Sequence, residues 1–116
     1  MEATWKRPKV LPSKTFKIET HEGNLFLTFV YDDNKLVEVR GMIGKSGTFG
    51  NFIIDTICKL ISMYLQSPEP RYKILKKFKK QFTDMNCGMD YFQFDGQKYL
   101  SSIDAIVKLT IKEIDK

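Results

Sequence analysis

Alternating apolar and polar side chains between residues 14 and 43 predict three β-strands joined by short turns. Phe16 and Ile18 alternate with charged neighbours, and residues 36–43 place Val37 and Val39 on one side of a strand. Residues 25–31 are apolar at nearly every position, which predicts a central strand covered on both faces. Turn-forming residues separate the strands at 21–24 and 32–35. The pattern therefore predicts an antiparallel meander.

After Thr48 the apolar spacing changes from two residues to the period of a helix. One helical stripe, which we predict to cover the sheet, contains Phe49, Phe52, Ile53, Ile57, Leu60, Ile61 and Tyr64. Residues 67–70 supply a stop and a restart, because proline suits the first turn of a helix and cannot continue one. A second helix follows to about Phe82, and Ser101 with Asp104 forms a capping box that begins a last one.

These elements predict an α+β fold, with a three-stranded antiparallel sheet followed by two to three helices packed on it. We expect a single domain over residues 1–116, because this length supports one packed core. Within it, residues 1–13 form an extended lead-in, 14–43 the sheet, and 48–116 the helices with an aromatic loop at 84–100.

Charge and composition favour an anionic partner in the cytoplasm. The chain has 19 Lys and Arg against 14 Asp and Glu, a net charge of +5. No apolar segment is long enough to span a membrane, and residues 1–8 lack the apolar stretch of a secretory signal. Cys58 and Cys87 lie in no metal-ligand spacing and are expected to stay reduced. We therefore expect a cytoplasmic protein that does not bind a membrane.

The excess positive charge is concentrated in the second predicted helix. Its lysines, which share one face, are Lys73, Lys76, Lys77 and Lys80. Nucleic-acid binding would require aromatic side chains on that same exposed face, whereas the aromatics here share the apolar stripe. The lysines are better explained as a solvated face, and nucleic acid is the less favoured partner.

The run Gly44, Lys45, Ser46, Gly47 and Thr48 lies where the third strand gives way to the first helix. Unpaired amide groups at a helix start attract phosphate or carboxylate, and Lys45 would add a positive charge beside them. A nucleotide-hydrolase P-loop would need a glycine where Val39 stands, so ATP hydrolysis is not indicated. The alternative is a tight turn in which Ser46 or Thr48 simply caps the helix.

Conventional catalytic sets are absent from the sequence. His21 lies in a predicted turn with no nucleophile or carboxylate arranged around it, and Cys87 has no identifiable basic partner. We therefore expect a binding protein, with no catalytic residue, metal or cofactor.

The aromatic loop is a second candidate site. Phe92, Phe94, Gln97 and Tyr99 are the residue types that stack on an adenine ring and read its edge. The alternative is that these rings plug the end of the sheet and belong to the core.

An ordered series of short motifs resembles the small domain near the C-terminus of adenosylcobalamin-dependent ribonucleotide reductases. It consists of Arg7-Pro8, Leu11-Pro12, residues 15–18, 23–26 and 43–47, and Leu60-Ile61-Ser62. Residues 101–106 are similar to that domain's Ser-Cys-Pro-Asp-Ala-Ile signature, with Ser102 in place of cysteine and Ile103 in place of proline. The resemblance implies the fold without reductase activity, since the catalytic barrel is absent and the cysteine is replaced.

A free-standing copy of this domain also resembles phage anti-defence proteins that act as sponges. Those proteins bind the cyclic ADP-ribose signal of Thoeris defence without cleaving it, as oligomers with pockets at subunit boundaries. The resemblance implies a homo-oligomer in the host cytoplasm and a small nucleotide-type ligand. Lys45, Ser46, Gly47 and Thr48 would then meet phosphate.

In that hypothesis Arg7, Lys14 or Arg71 would supply a second cation, and Phe92, Phe94 and Gln97 would hold the base. The competing hypothesis is an interaction module that docks on a ribonucleotide reductase or a related nucleotide enzyme. It needs no small molecule, because the basic helix and the aromatic loop would face a protein surface.

Overall fold

The computed structural model describes residues 5–44, 48–82 and 91–115. Its elements are β1 (Ser13–Thr20), β2 (Gly23–Asp32), β3 (Lys35–Ile43), α1 (Phe49–Leu65), α2 (Arg71–Gln81), β4 (Phe92–Phe94), β5 (Gln97–Tyr99) and α3 (Ser102–Ile114). The α+β class is confirmed. None of these helices is long and apolar enough to cross a membrane.

The first three strands form an antiparallel sheet in the order β1-β2-β3, as the alternating pattern predicted. Lys14 pairs with Phe29 between β1 and β2, and Leu25 pairs with Ile43 between β2 and β3. The β2–β3 turn has two residues at positive φ, Asp33 and Asn34, as a tight hairpin turn of the I′ type requires. The predicted meander is therefore confirmed.

Strand β2 is fully covered on one face and only partly on the other. The prediction of a strand buried on both faces was right at Val30, which is buried, and wrong at Phe26. Leu25, Leu27 and Phe29 are buried against the helices, whereas Phe26 is exposed and Thr28 is half-buried on the other face. An antiparallel sheet can leave one face to solvent. The continuous apolar run reflects Phe26, an apolar residue on that outer face.

Helix α1 packs on the sheet through a stripe that matches the predicted one only in part. Ile61 is buried as predicted, and Ile57 and Tyr64 pack against the core. The buried side chains of α1 are Ile54, Cys58, Ile61 and Leu65. Phe49, Phe52 and Leu60 are exposed. The prediction was wrong for these three residues because α1 carries apolar residues on two opposite sides, and periodicity does not say which side faces the core.

Gly41 of β3 is a point of close approach between α1 and the sheet. A Cβ atom at this position would lie 2.8 Å from Ile54 Cγ2 and 2.9 Å from Cys58 Sγ. Any side chain here would overlap α1, so the glycine sets the distance between helix and sheet.

Side chains of α1 bond to main-chain groups of β3. The Ser62 hydroxyl accepts a hydrogen bond from Val39 N–H at 2.9 Å, and the Asn51 side chain accepts one from Ile43 N–H at 3.1 Å. Gln66 Nε2 donates to the Val37 carbonyl at 3.0 Å. These polar side chains of α1 therefore provide hydrogen-bond partners for backbone groups of β3, an edge strand, that the sheet itself leaves unpaired.

Helices α2 and α3 and the β4–β5 hairpin complete the fold. The four α2 lysines of the predicted solvated face are exposed, while Ile74 and Phe78 are buried. The part of the 84–100 loop that the structure describes is a hairpin against β1. Ser101 Oγ accepts a hydrogen bond from Asp104 N–H at 3.0 Å, which confirms the predicted cap of α3.

Candidate functional site

The predicted anion-binding corner lies where β3 ends and α1 begins. Gly44 has a φ of 61°, a left-handed conformation that favours glycine, and it is exposed. Thr48 caps α1, because its hydroxyl accepts a hydrogen bond from Asn51 N–H at 3.2 Å. Lys45, Ser46 and Gly47 lie outside the described residues.

Beside this corner is a shallow depression of about 490 Å³. Its lining residues are Thr48, Phe49, Asn51, Phe52 and Asp55. The first turn of α1 contains no Asp or Glu. No carboxylate in that turn competes for the positive end of the helix dipole, so an external anion could bind there. Asp55 lies one turn further along the helix.

The three candidate second cations lie at the opposite end of the sheet from Gly44. Gly44 follows Ile43, which pairs with Leu25, whereas Lys14 pairs with Phe29, about 13 Å away along β2. Arg7 contacts Glu38, which pairs with Val30 of β2. Arg71 contacts Leu36, which pairs with Tyr31 of β2, so both arginines lie even farther from Gly44 than Lys14 does. The expected grouping of these cations with the corner is therefore not formed within one chain.

Each of these cations also has a partner inside the chain. Arg7 Nε lies 2.6 Å from Glu38 Oε2, and Lys14 Nζ lies 2.7 Å from Glu113 Oε1. Arg71 donates to the Leu36 carbonyl, and burial lowers the pKa of its guanidinium. All three contacts hold distant segments together.

The aromatic side chains of the β4–β5 hairpin are used mainly for packing. Phe92 is buried, with ring centroids 6.0 Å from Tyr99 and 6.2 Å from His21. Phe94 is half-buried, 5.7 Å from Phe16, and Gln97 is exposed. Phe92 belongs to the core, as the alternative interpretation of the loop predicted. Binding of an adenine ring by Phe94 and Gln97 stays a prediction.

A buried polar cluster joins the start of α3 to the β1–β2 turn. Ser102 is buried, its hydroxyl donates to Glu22 Oε1 at 2.9 Å, and its N–H donates to the same oxygen at 3.1 Å. Asp104 is also buried, and its Oδ2 accepts from Leu100 N–H at 2.9 Å and pairs with Lys108 Nζ at 3.1 Å. Sequence reasoning missed Glu22, because nothing local links it to a helix that begins far along the chain.

Comparison with protein-family models decides the family. The TSCPD domain model, which describes the Ser-Cys-Pro-Asp domain found in ribonucleotide reductases, matches residues 3–112. The chain belongs to the TSCPD domain family. No curated protein and no solved structure matches it.

In this TSCPD domain the signature positions serve the fold. Ser102 stands at the cysteine position, and its hydroxyl is engaged by the Glu22 carboxylate. Among the residues the structure describes, no three His, Cys, Asp or Glu side chains come together as a metal site. Cys58 is also buried, and burial, with a smaller effect of Asp55, raises the pKa of its thiol to about 12, so it is a poor nucleophile.

The outer face of the TSCPD sheet carries an apolar pair with the cations Lys17 and Arg40 beside it and the exposed Glu19 two residues from Lys17. Phe26 and Met42 are cross-strand neighbours and are 42% and 50% exposed. Lys17 pairs with Phe26 on β1, and Arg40 precedes Met42 by two residues on the same face of β3. We call Phe26, Met42, Lys17 and Arg40 the outer sheet patch. No sequence pattern identified it, because Phe26 was assigned to the core.

Proposed function

We propose that this TSCPD domain is a non-catalytic interaction module that docks on an enzyme of the ribonucleotide reductase class through the outer sheet patch. The observation that carries the proposal is that Phe26 and Met42 are exposed side by side on a sheet face whose other exposed residues are polar. Solvent-facing positions of an antiparallel sheet are ordinarily polar. Two adjacent large apolar side chains are typical of the centre of a protein interface.

The border of the patch favours an acidic partner surface. Arg40 is 66% exposed in its side chain and lies 3.4 Å from Glu38 Oε1. Glu38 is shared with Arg7, and Glu19 lies near Lys17, so the three cations Arg7, Arg40 and Lys17 exceed the two carboxylates by one charge. A partner with an apolar centre and carboxylates around it would therefore match the patch in both polarity and charge.

The test is binding of the purified protein to a purified ribonucleotide reductase large subunit. Phe26→Ser and Met42→Ser should each weaken binding about tenfold or more, since each removes an apolar contact at the centre of the interface. Tyr72→Ser is the matched control, because Tyr72 is also exposed but lies on α2. Binding should also weaken as salt is raised.

Two results would refute docking through this patch. One is no detectable binding of the reductase subunit by the intact protein. The other is equal loss in the Tyr72→Ser control, which would place the contact elsewhere.

A second function, sequestration of a small anionic nucleotide such as cyclic ADP-ribose, is favoured by the α1 corner. We infer it from the exposed Gly44 turn and the absence of a carboxylate in the first turn of α1. A phage-encoded protein of this kind would act in the host cytoplasm, as a homo-oligomer that completes the pocket. Lys45 would then contact a phosphate group.

Calorimetric titration with cyclic ADP-ribose separates the two functions. Lys45→Ala should cost on the order of 1.5 to 3 kcal/mol of binding if Lys45 makes a charge-assisted contact. Lys80→Ala, on the exposed face of α2, is the control for net charge. If titration with cyclic ADP-ribose releases no heat, or if Lys45→Ala leaves the affinity unchanged, the corner at Gly44 is not the binding site.

A further inference from the structure

Helix α1 has an apolar stripe facing away from the sheet. Its members Phe49, Phe52, Leu60 and Met63 are 78%, 63%, 59% and 68% exposed. The buried residues Ile54, Cys58, Ile61 and Leu65 lie on the opposite side of the same helix. We call Phe49, Phe52, Thr56, Leu60 and Met63 the α1 stripe.

We propose that the α1 stripe is a homodimer interface, in which α1 of one chain packs antiparallel on α1 of a second copy about a twofold axis at Thr56. This interface is separate from the outer sheet patch, so the proposal does not rest on the proposed function. Four observations support it: spacing, area, flanking charge and an adjoining groove.

The spacing of the stripe is symmetric about Thr56. Phe52 and Leu60 lie four residues on either side of it, and Phe49 and Met63 lie seven residues on either side. In an antiparallel pair centred on Thr56, Phe52 therefore faces Leu60 of the second copy and Phe49 faces its Met63. A twofold interface requires this reciprocity, in which each contact occurs twice.

The exposed area is in the range that a stable dimer needs. The four large side chains together expose on the order of 500 Å², since each has about 200 Å² in all. Burying this area on both copies removes about 1,000 Å² from water before neighbouring residues are counted, which reaches the lower limit for specific interfaces.

Charges on one flank of the stripe complement themselves across the same axis. Asp55 and Lys59 are paired at 2.9 Å within the chain, and both side chains are largely solvent-accessible. A twofold axis brings this flank against its own copy in the reverse direction. Lys59 of one chain then lies about 3 Å along the helix axis from Asp55 of the other, and the two Asp55 side chains are equally close to each other. Two contacts between opposite charges therefore outweigh one contact between like charges.

The other flank continues as an apolar groove of about 180 Å³ between the helices. It is lined by Ile57, Leu60, Ile61, Phe78, Phe82, Ile103 and Val107. Leu60 belongs to both surfaces, so the groove extends the α1 stripe and can receive an apolar side chain from the second copy.

The first test is the molar mass in solution, measured by light scattering or sedimentation across a concentration series. The wild-type chain should give a dimer. Leu60→Asp should weaken dimerisation about thirtyfold or more, because it places a carboxylate in an apolar contact that occurs twice. Tyr72→Asp, on exposed α2, is the matched control and should leave the dimer intact. A monomer at every concentration, or equal loss in the control, would overturn the proposal.

Charge reversal tests the flank. Asp55→Lys makes the flank wholly basic and Lys59→Glu makes it wholly acidic, so each variant alone should dimerise less well than wild type. An equal mixture of the two should form a heterodimer, because opposite charges are restored. Preserved homodimers and no preferred heterodimer would contradict the antiparallel arrangement.

Cysteine cross-linking tests the axis directly. In a Cys87→Ser background, Thr56→Cys should form a disulfide with its own copy, because residue 56 meets itself on the axis. Met63→Cys should not, since antiparallel packing separates the two copies of residue 63 by about 21 Å along the helices. Cross-linking of Met63→Cys without Thr56→Cys would indicate a different interface and overturn the proposal. Circular dichroism verifies that each variant is folded.

Discussion

Replacing Gly41 by alanine should destabilise the fold strongly, because α1 packs on β3 there with no room for a side chain. The new methyl group would lie 2.8 Å from Ile54 Cγ2 and 2.9 Å from Cys58 Sγ, nearer than Cβ contacts occur in proteins. Both neighbours are buried in the core, so neither side chain can turn towards solvent. Overpacking of this kind costs about 1 to 3 kcal/mol, and two simultaneous overlaps place Gly41→Ala near the upper end.

The measurement is the free energy of unfolding from urea denaturation followed by circular dichroism. Gly50→Ala is the matched control, because a Cβ there meets only Ile43 Cγ2, at 4.0 Å, and Gly50 lies in α1. That change should stabilise the protein by about 0.5 to 1 kcal/mol through helix propensity. The two substitutions add the same atoms and should shift stability in opposite directions.

A double-mutant cycle identifies the overlap as the cause. Cys58→Ala removes the sulfur atom beside Gly41, so the combined variant should be about 1 kcal/mol more stable than the sum of the single effects. The remaining cost comes from Ile54 Cγ2, which the second change leaves in place. Two results would contradict this explanation. One is a free energy of unfolding for Gly41→Ala within about 0.5 kcal/mol of wild type, and the other is additivity of the Gly41→Ala and Cys58→Ala effects.

Two further predictions concern buried ionisable groups. The pKa of Cys58 rises from 9.0 to about 12 in the folded chain, so its contribution to stability is complete below pH 9 and is lost as the pH approaches 12. The stability difference between wild type and Cys58→Ala, from urea titrations at several pH values, should therefore shrink over this range, and a constant difference would argue against a buried neutral thiol. Glu113 accepts a hydrogen bond from Tyr31 and pairs with Lys14, so Glu113→Gln should cost about 2 to 4 kcal/mol of unfolding free energy. Thermal unfolding measures it, with exposed Glu19→Gln as the control, and equal midpoints would show that this contact does not hold α3 to the sheet.

The elements of this fold could be predicted from sequence because their signals are local. Strand alternation, the proline stop at 67–70 and the Ser101 cap each depend on residues within one turn or strand. Which side of an element faces the core depends on its neighbours instead. Phe26 and Phe52 are apolar and exposed, and no periodicity distinguishes them from buried residues of the same strand and helix.

The candidate site could be predicted only in part for the same reason. The Gly44 corner follows from adjacent residues, and the structure places it at the start of α1. The assignment of Arg7, Lys14 and Arg71 to that corner needed the strand register, which puts them at the other end of the sheet. The Ser102–Glu22 contact likewise joins residues that only the folded chain brings together.

The bonds from α1 side chains to β3 have a consequence for aggregation. An edge strand with free main-chain groups is a template on which another chain can add as a further strand. Ser62, Asn51 and Gln66 already engage outward-facing groups of β3, so an incoming peptide would have to displace them first. Helix α1 thus protects the β3 edge of the sheet, and replacing these three polar side chains should make that edge available for pairing with another chain.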